Sequence, residues 1–497
     1  MKLRIIVFAI LIANITTAQK ANIFLDRNFW KAAPSVELIK QKIAEGHDPS
    51  ESDDFAFDGV SYGIIDNAPL ESIKFMLAQD GNPVTKPTHG SVTYLLWAAY
   101  KGNIGLMKHL IELGSDVQMA TSRGTNILSM TATGGNENTE VYDLILSKNV
   151  DIHSSNSSGA NALLLLAGSN ADDANTFEYL VEKGLSWNSK DNDGNGLFNY
   201  AARGGNMEIM KMCVGKDLDY TSINSKGENA LFFASYGRKR SEIQLETFKY
   251  LESLGLEADV VNWEGQTPLH NAIFRANEET INFFIEKGVN PNQVDKYGNT
   301  VLINAARGKV ENIETLLPHI ADINHQNYEG HTALSMAVKR GSDKVFDFLV
   351  EKGADIHVLD AQENDLMSIA FQSFYTRKEA AFDHIINTLM EHELQLAESY
   401  ADGNTLAHLA IEENSAYLLK KAIALGTNVN LKNDIGLSPL HLAAMKATDK
   451  NMIELLLEAG ADKSVRTEFE ESAYELANEN ELLDGDAVTT ELLKMDD

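Results

Sequence analysis

Several groups of residues carry types and spacings that could do chemistry. Gly59-Val60-Ser61-Tyr62-Gly63 reads as G-x-S-x-G, the elbow that lifts a nucleophilic serine above a sheet. That elbow needs a buried strand before it, and Glu51-Ser52-Asp53-Asp54 makes a poor one, so a turn with Gly59 as its glycine is expected. Asp191, Asp193, Asn195 and Gly196 begin like a calcium loop, but the bidentate glutamate would fall at Ala202, which cannot ligate. His270, His408 and His441 supply the imidazoles of a scattered ligand set. Cys213, the one cysteine, lies between Met212 and Val214 without a paired base, so an apolar filler is expected rather than a nucleophile. Asp383, His384, Glu391, His392 and Glu393 would make the best acid–base cluster, and they read more simply as a solvated helical surface. H-E-x-x-H and the Walker-type phosphate loop are both missing. The expectation is a chain with no catalytic residue, no metal and no cofactor.

Composition narrows the function classes further. The 497 residues are 44% hydrophobic and 23% charged, an ordinary globular balance. One cysteine rules out a disulfide framework within the chain. The formal charge of −30, from 42 basic and 72 acidic residues, repels phosphate backbones, so nucleic acid is not an expected partner. No run of 18 apolar residues is present, and no membrane span is expected in the mature protein. The start is a separate matter. Lys2 and Arg4 precede an apolar run from Ile5 to Ile15, followed by Thr16, Thr17 and Ala18. This is the pattern of a secretory signal, with cleavage expected after Ala18 and a periplasmic or secreted mature chain. Losing Lys2 and Arg4 takes the formal charge from −30 to −32.

The elements that would position any site come from a repeat. The segment Asn433-Asp434-Ile435-Gly436-Leu437-Ser438-Pro439-Leu440-His441-Leu442-Ala443-Ala444 is followed by the apolar stripe of Ile453, Leu456 and Leu457 and by Gly460. An earlier copy runs from Asn262 through Gly265-Gln266-Thr267-Pro268-Leu269-His270 to Gly288. Gly265, Gly298, Gly330, Gly403 and Gly436 mark successive copies, with Glu363 standing in for one, and Gly124, Gly159, Gly194 and Gly227 continue the ruler upstream. Most intervals are 32 to 35 residues, and Gly90 and Gly59 extend the ruler at intervals of 34 and 31. In each unit Thr267 or its equivalent caps a first helix, and Pro268 sits where a missing amide donor costs nothing. Ala272, Ala305, Ala337, Ala370, Ala410 and Ala443 let neighbouring helices approach. No unit could bury its apolar face alone, so stacking must close the core.

These copies resemble the ankyrin repeat, a β-turn plus two antiparallel helices. The resemblance implies an all-α ankyrin-repeat solenoid of about 13 to 14 helix-turn-helix units with β-turn or hairpin tips. Its expected divisions are a signal peptide over 1–18, divergent N-terminal repeats or a cap over 22–120, the array over 121–466, and a polar C-terminal capping repeat over 467–497. It implies that His270, His408 and His441 brace adjacent turns. It implies a non-enzymatic scaffold that binds another protein, through turn tips and the facing ends of first helices on a concave face.

Carried onto this sequence, the tip positions are Trp263, Tyr297 and Tyr328, which either anchor a partner or stiffen the ribbon. The second row, near the ends of first helices, is Arg203, Tyr236, Phe274, Arg307 and Lys339, with Arg275 and Arg340 one position beyond Phe274 and Lys339. This basic and aromatic stripe on an acidic chain would steer an acidic partner, or merely complement helix dipoles. Gly237-Arg238-Lys239-Arg240 and Tyr375-Thr376-Arg377-Lys378 fill the two long intervals as surface loops or a second contact site. A bacterial chain that supports or protects an exported enzyme, such as an oxidative-defence enzyme, is the expected role; the alternative is a binder of an anionic envelope glycan. Partner identity and oligomeric state stay open.

Overall fold

Within one unit the local chemistry dictates the local structure. At Ser438-Pro439-Leu440-His441 the serine hydroxyl accepts the amide of His441, and the His441 Nδ1 accepts the amide of Ser438 at 3.1 Å. Two orphan donors of the helix start are thus satisfied reciprocally. The first helix, Pro439–Lys446, buries Leu440, Ala443 and Ala444; the second, Asn451–Glu458, buries Ile453 and Leu456. Gly460 closes it in the left-handed conformation at φ 89°.

The computed structural model describes residues 21–238, 244–394, 396–483 and 487–494. The 1–18 leader and Lys239 and Arg240 of the first long interval lie outside the described residues. The chain divides into two compact units, Met1–Ser225 and Lys226–Asp497. The described part of the first holds six helix pairs, from Arg27–Lys31 with Val36–Ala44 to Leu197–Gly204 with Met207–Gly215. The second holds eight, from Ala230–Ser235 with Leu245–Ser253 to Ala473–Glu479 with Ala487–Leu492. Inside each unit every first helix packs on the first helix of the next pair. The small residues at that seam, Ala272, Ala305, Ala337, Ala370, Ala410 and Ala443, are all buried.

The turns between pairs share one device. An Asn or Asp three residues before the left-handed residue accepts two backbone amides, as Asn327 does from Glu329 at 3.0 Å and His331 at 2.8 Å. Asp53, Asn156, Asp191, Asn262, Asp295 and Asp360 repeat the pattern. Single antiparallel bridges such as Ser155 to Asn161 and Lys190 to Gly196 close the turn, and the described residues contain no longer strand. Successive tips are then tied by backbone rungs. In the second unit the amides of Trp263, Lys296, Tyr328 and Ala361 donate to the carbonyls of Lys226, Glu264, Tyr297 and Glu329, at 2.7–3.0 Å.

The ruler needs two corrections. Glu363 does stand in the left-handed position, at φ 64°. Gly59 does not: that position is Ala56, at φ 61°, and Gly59 opens the helix Gly59–Ile65. Gly59 is needed there for room, because a Cβ would meet Phe24 at 3.0 Å and Met76 at 2.9 Å. In the next unit Ser91 stands two residues before the cap Thr93, at φ 62°, one residue beyond the Gly90 of the ruler.

Candidate functional site

The apparent catalytic motifs dissolve into turn and cap chemistry. Ser61 is fully buried; its hydroxyl donates to the Asp58 carbonyl at 2.9 Å and accepts the Asp58 amide at 2.8 Å. It belongs to a capping box, its proton spent on that carbonyl. Asp191 spends its carboxylate on the amides of Asp193 and Asn195 and on the Tyr200 hydroxyl at 2.9 Å, as the turn pattern demands. The three histidines sit far apart in sequence but identically in their units. Each Nε2 meets a carbonyl of the next turn: His270 with Asn299 at 3.2 Å, His408 with Leu437 at 2.9 Å, His441 with Val465 at 3.0 Å. Since Nδ1 accepts a backbone amide, Nε2 carries the proton, and the ring is neutral. Burial holds all three below the usual histidine range. His384 instead pairs with Asp347 at 2.8 Å on the exposed surface, and Asp383 pairs with Lys421. Among the described residues no group of three or more histidines, cysteines or acids is placed to hold a metal.

Cys213 is fully buried, and burial pushes its thiol up to about 12. A maleimide or iodoacetamide should therefore label Cys213 only when the chain unfolds. Labelling in native buffer at the rate seen in urea would refute its placement.

What remains is surface. Trp263, Tyr297 and Tyr328 stand at three successive tips, 72%, 58% and 73% exposed. They are nonetheless held. A Cβ on Gly227 would lie 2.9 Å from the Trp263 ring, and one on Gly298 would lie 2.9 Å from Tyr328, so each of these rings rests on the glycine of the preceding turn. Lys296, bound to Glu264 at 2.7 Å, lies 5.0 Å from the Tyr297 ring centroid. The two roles weighed for these rings, anchoring and stiffening, are thus compatible. One face of the Trp263 and Tyr328 rings lies on the ribbon, Tyr297 is flanked by Lys296, and the bulk of each side chain is open to solvent.

The second row is less uniform. Arg203 is exposed in the last turn of Leu197–Gly204 and belongs to the first unit. Tyr236 is half-buried, its hydroxyl donating to Glu228 at 2.6 Å, and Arg275 is half-buried with Nη1 donating to the Tyr236 carbonyl. Those two groups are spent within the second unit. Arg307, Lys339 and Arg340 are exposed. The Arg307 guanidinium lies 5.8 Å from the centroid of Phe274, and the Lys339 ammonium has the His331 ring at 3.4 Å. Lys378, from the second long interval, donates to the carbonyls of Arg340 and Gly341 and so closes the end of Ala333–Arg340.

Three further tip residues escaped the sequence reading. Phe55, Ile435 and Phe469 are as exposed as the first three, each one residue before the left-handed position of its turn. Phe55 and Phe469 precede Ala56 and Glu470, where a glycine ruler has nothing to mark. The Asp53 of the turn device is the signal that would have found Phe55.

The sequence pattern described as ankyrin repeats (3 copies) matches residues 95–191, 241–327, 280–360 and 378–467, more than half of the chain. With the turn, cap and helix-pair geometry above, the chain belongs to the ankyrin-repeat family. Such repeats are protein-interaction modules and are generally non-catalytic, and no enzymatic family is indicated. Among curated proteins it is similar to the B-cell lymphoma 3 protein homolog of Mus musculus, 24% identical over 46% of this chain and 43% of that protein. It is also similar to the nuclear factor NF-kappa-B p105 subunit of Gallus gallus, 24% identical over 54% of this chain and 24% of that protein. The chain thus spans less than half the length of these relatives. A solved human ASB11 ankyrin repeat domain overlays 47% of this chain and all of itself at 23% identity, with a TM-score of 0.39.

Proposed function

We propose that this chain is a non-enzymatic scaffold, exported from a bacterial cell, that holds another protein against the tips and first-helix ends of its second unit. The observation that carries this reading is the row of Trp263, Tyr297 and Tyr328, solvent-exposed yet fixed by backbone rungs. Rigid aromatic side chains bury much area at little entropy cost, which is why they dominate binding hot spots. The positively charged start and short apolar run before Ala18 support export to the periplasm or beyond. A client enzyme that is itself exported fits a scaffold without a reaction of its own; the partner is a protein, held on a concave face.

The test is affinity capture from an extract of the source cells, with the mature chain and a Trp263→Ala/Tyr297→Ala/Tyr328→Ala variant as baits. A protein retained by the first and lost from the second, by tenfold or more, is the expected result. Equal recovery by both removes the aromatic row from the binding face. Recovery of no protein removes the scaffold reading. N-terminal sequencing of the exported chain checks for Gln19 as first residue, and an intact Met1 in the cytoplasm would overturn export.

A further inference from the structure

The cations of the second row pose an electrostatic question. The chain carries 72 acidic residues against 42 basic ones, so a basic side chain should find a carboxylate with ease. Elsewhere in the second unit several lysines do, among them Lys287 with Glu252, Lys296 with Glu264, Lys421 with Asp383 and Lys446 with Glu412. Arg307, Lys339 and Arg340 meet no carboxylate within ion-pair distance among the described residues. Arg307 is held below the usual guanidinium range by burial and by the charge of Arg340 beside it. Lys339 meets the Nε2 of His331, which also lies 3.7 Å from Glu329, and burial holds that ring below the usual histidine range. Lys378, bound to the Arg340 carbonyl, brings a further charge. Like charges gathered without directly paired counter-charges cost free energy in the unbound chain, and that cost is relieved when a partner brings the opposite sign.

We propose that Arg307, Lys339 and Arg340, with Phe274 beneath Arg307, form the docking site for an acidic segment of a partner protein. This rests on the scaffold reading and adds the partner's chemistry. A guanidinium stacked on an aromatic ring keeps its N–H edge for a carboxylate, bidentate in the best geometry. A groove of about 530 Å³ begins at Gly308 and Ser342, just past Arg307 and Arg340, and its floor includes Val310 and Val345. The rim of that groove holds Lys309 and Lys344 together with Glu278 and Glu311. It therefore suits apolar or mixed side chains flanking the acids better than a uniformly sulfated polymer. Glu or Asp residues spaced along an extended peptide would meet the three cations, while neighbouring side chains enter the groove.

The experiment uses the full mature chain and a fluorescent peptide of six consecutive glutamates followed by two leucines. Binding is followed by anisotropy at low salt, with a heparin fragment of matched charge as competitor. The native chain should bind the peptide, and Arg307→Gln/Arg340→Gln should weaken it at least tenfold. Lys287→Gln, which removes a cation paired to Glu252, should leave it within twofold. Urea midpoints of the variants matching that of the native chain exclude misfolding as the cause. Absence of peptide binding, or equal binding by the double variant, overturns the proposal; so does a heparin fragment that binds more tightly than the peptide. If a protein is still captured through the tips while the double variant holds it undiminished, the scaffold stands and this site falls.

Discussion

Gly330→Ala should lower the stability of the second unit by about 3 kcal/mol, the sum of a backbone strain of about 1–2 and a steric term of similar size. Gly330 sits at φ 78°, where a Cβ is disfavoured. That Cβ would also stand 2.5 Å from the Ala361 nitrogen, which is the donor of the rung to Glu329. The substitution thus strains one turn and breaks its bond to the next. Gly353→Ala separates the two causes. Gly353 has φ 87° and nothing within 4 Å of its virtual Cβ, so only the strain of about 1–2 kcal/mol is expected. The reverse change, Glu363→Gly, relieves a left-handed glutamate and should stabilise by about 1 kcal/mol. Urea unfolding of the three variants checks the order. Equal losses from Gly330→Ala and Gly353→Ala would show that the neighbouring turn does not matter.

Mild acid should destabilise the second unit steeply. His270, His331, His408 and His441 are buried, and burial lowers each below its usual value. Well above pH 6.5, from about pH 7.5 upward, neither folded nor unfolded rings bind protons, and stability is full. As pH falls below that value the unfolded chain takes up protons that the folded rings refuse, so stability drops until the folded rings titrate. In that window each such histidine contributes a slope of up to about 1.4 kcal/mol per pH unit. Asp365, pushed upward by burial, acts in the opposite sense closer to the carboxylate range. Unfolding free energies at pH 7.5, 6.5 and 5.5 should fall slightly across the first interval and about three times as far across the second. A His441→Gln variant should start less stable, having lost the link to Val465, and show a shallower fall. A flat profile down to pH 5.5 would mean that the folded rings take up protons as readily as the unfolded ones.

The repeat was legible wherever its costliest requirements fell on distinctive residues. Thr or Ser before Pro, His at the cap, and Gly in the left-handed turn all report backbone geometry, so Gly265 to Gly436 read correctly, Glu363 included. The reading slipped at Gly59 because strain of about 1–2 kcal/mol is small enough for Ala56 to bear it. The Asx turn at Asp53 is the better marker, since its two amide bonds fix the turn whichever residue takes the left-handed place. Exposure of Trp263, Tyr297 and Tyr328 followed directly from their turn positions. Ion pairing did not follow. Local pairs such as Lys450 with Glu454 can be read from helical spacing, but a pair such as Lys287 with Glu252 joins residues 35 apart, and spacing within one repeat carries no trace of whether a cation such as Arg307 finds such a partner.

The rungs between tips have a consequence for how this chain changes length. Each uses a main-chain amide from one unit and a main-chain carbonyl from the unit before, so no rung depends on which side chains stand there. The seam left by excising one whole period, or opened by duplicating one, again presents an amide to a carbonyl. A fractional period would set a helix where a turn is needed. Such a gene can therefore grow or shrink by whole periods of about 33 codons with its joints intact, and the partner it fits can be rewritten by recombination as well as by point mutation.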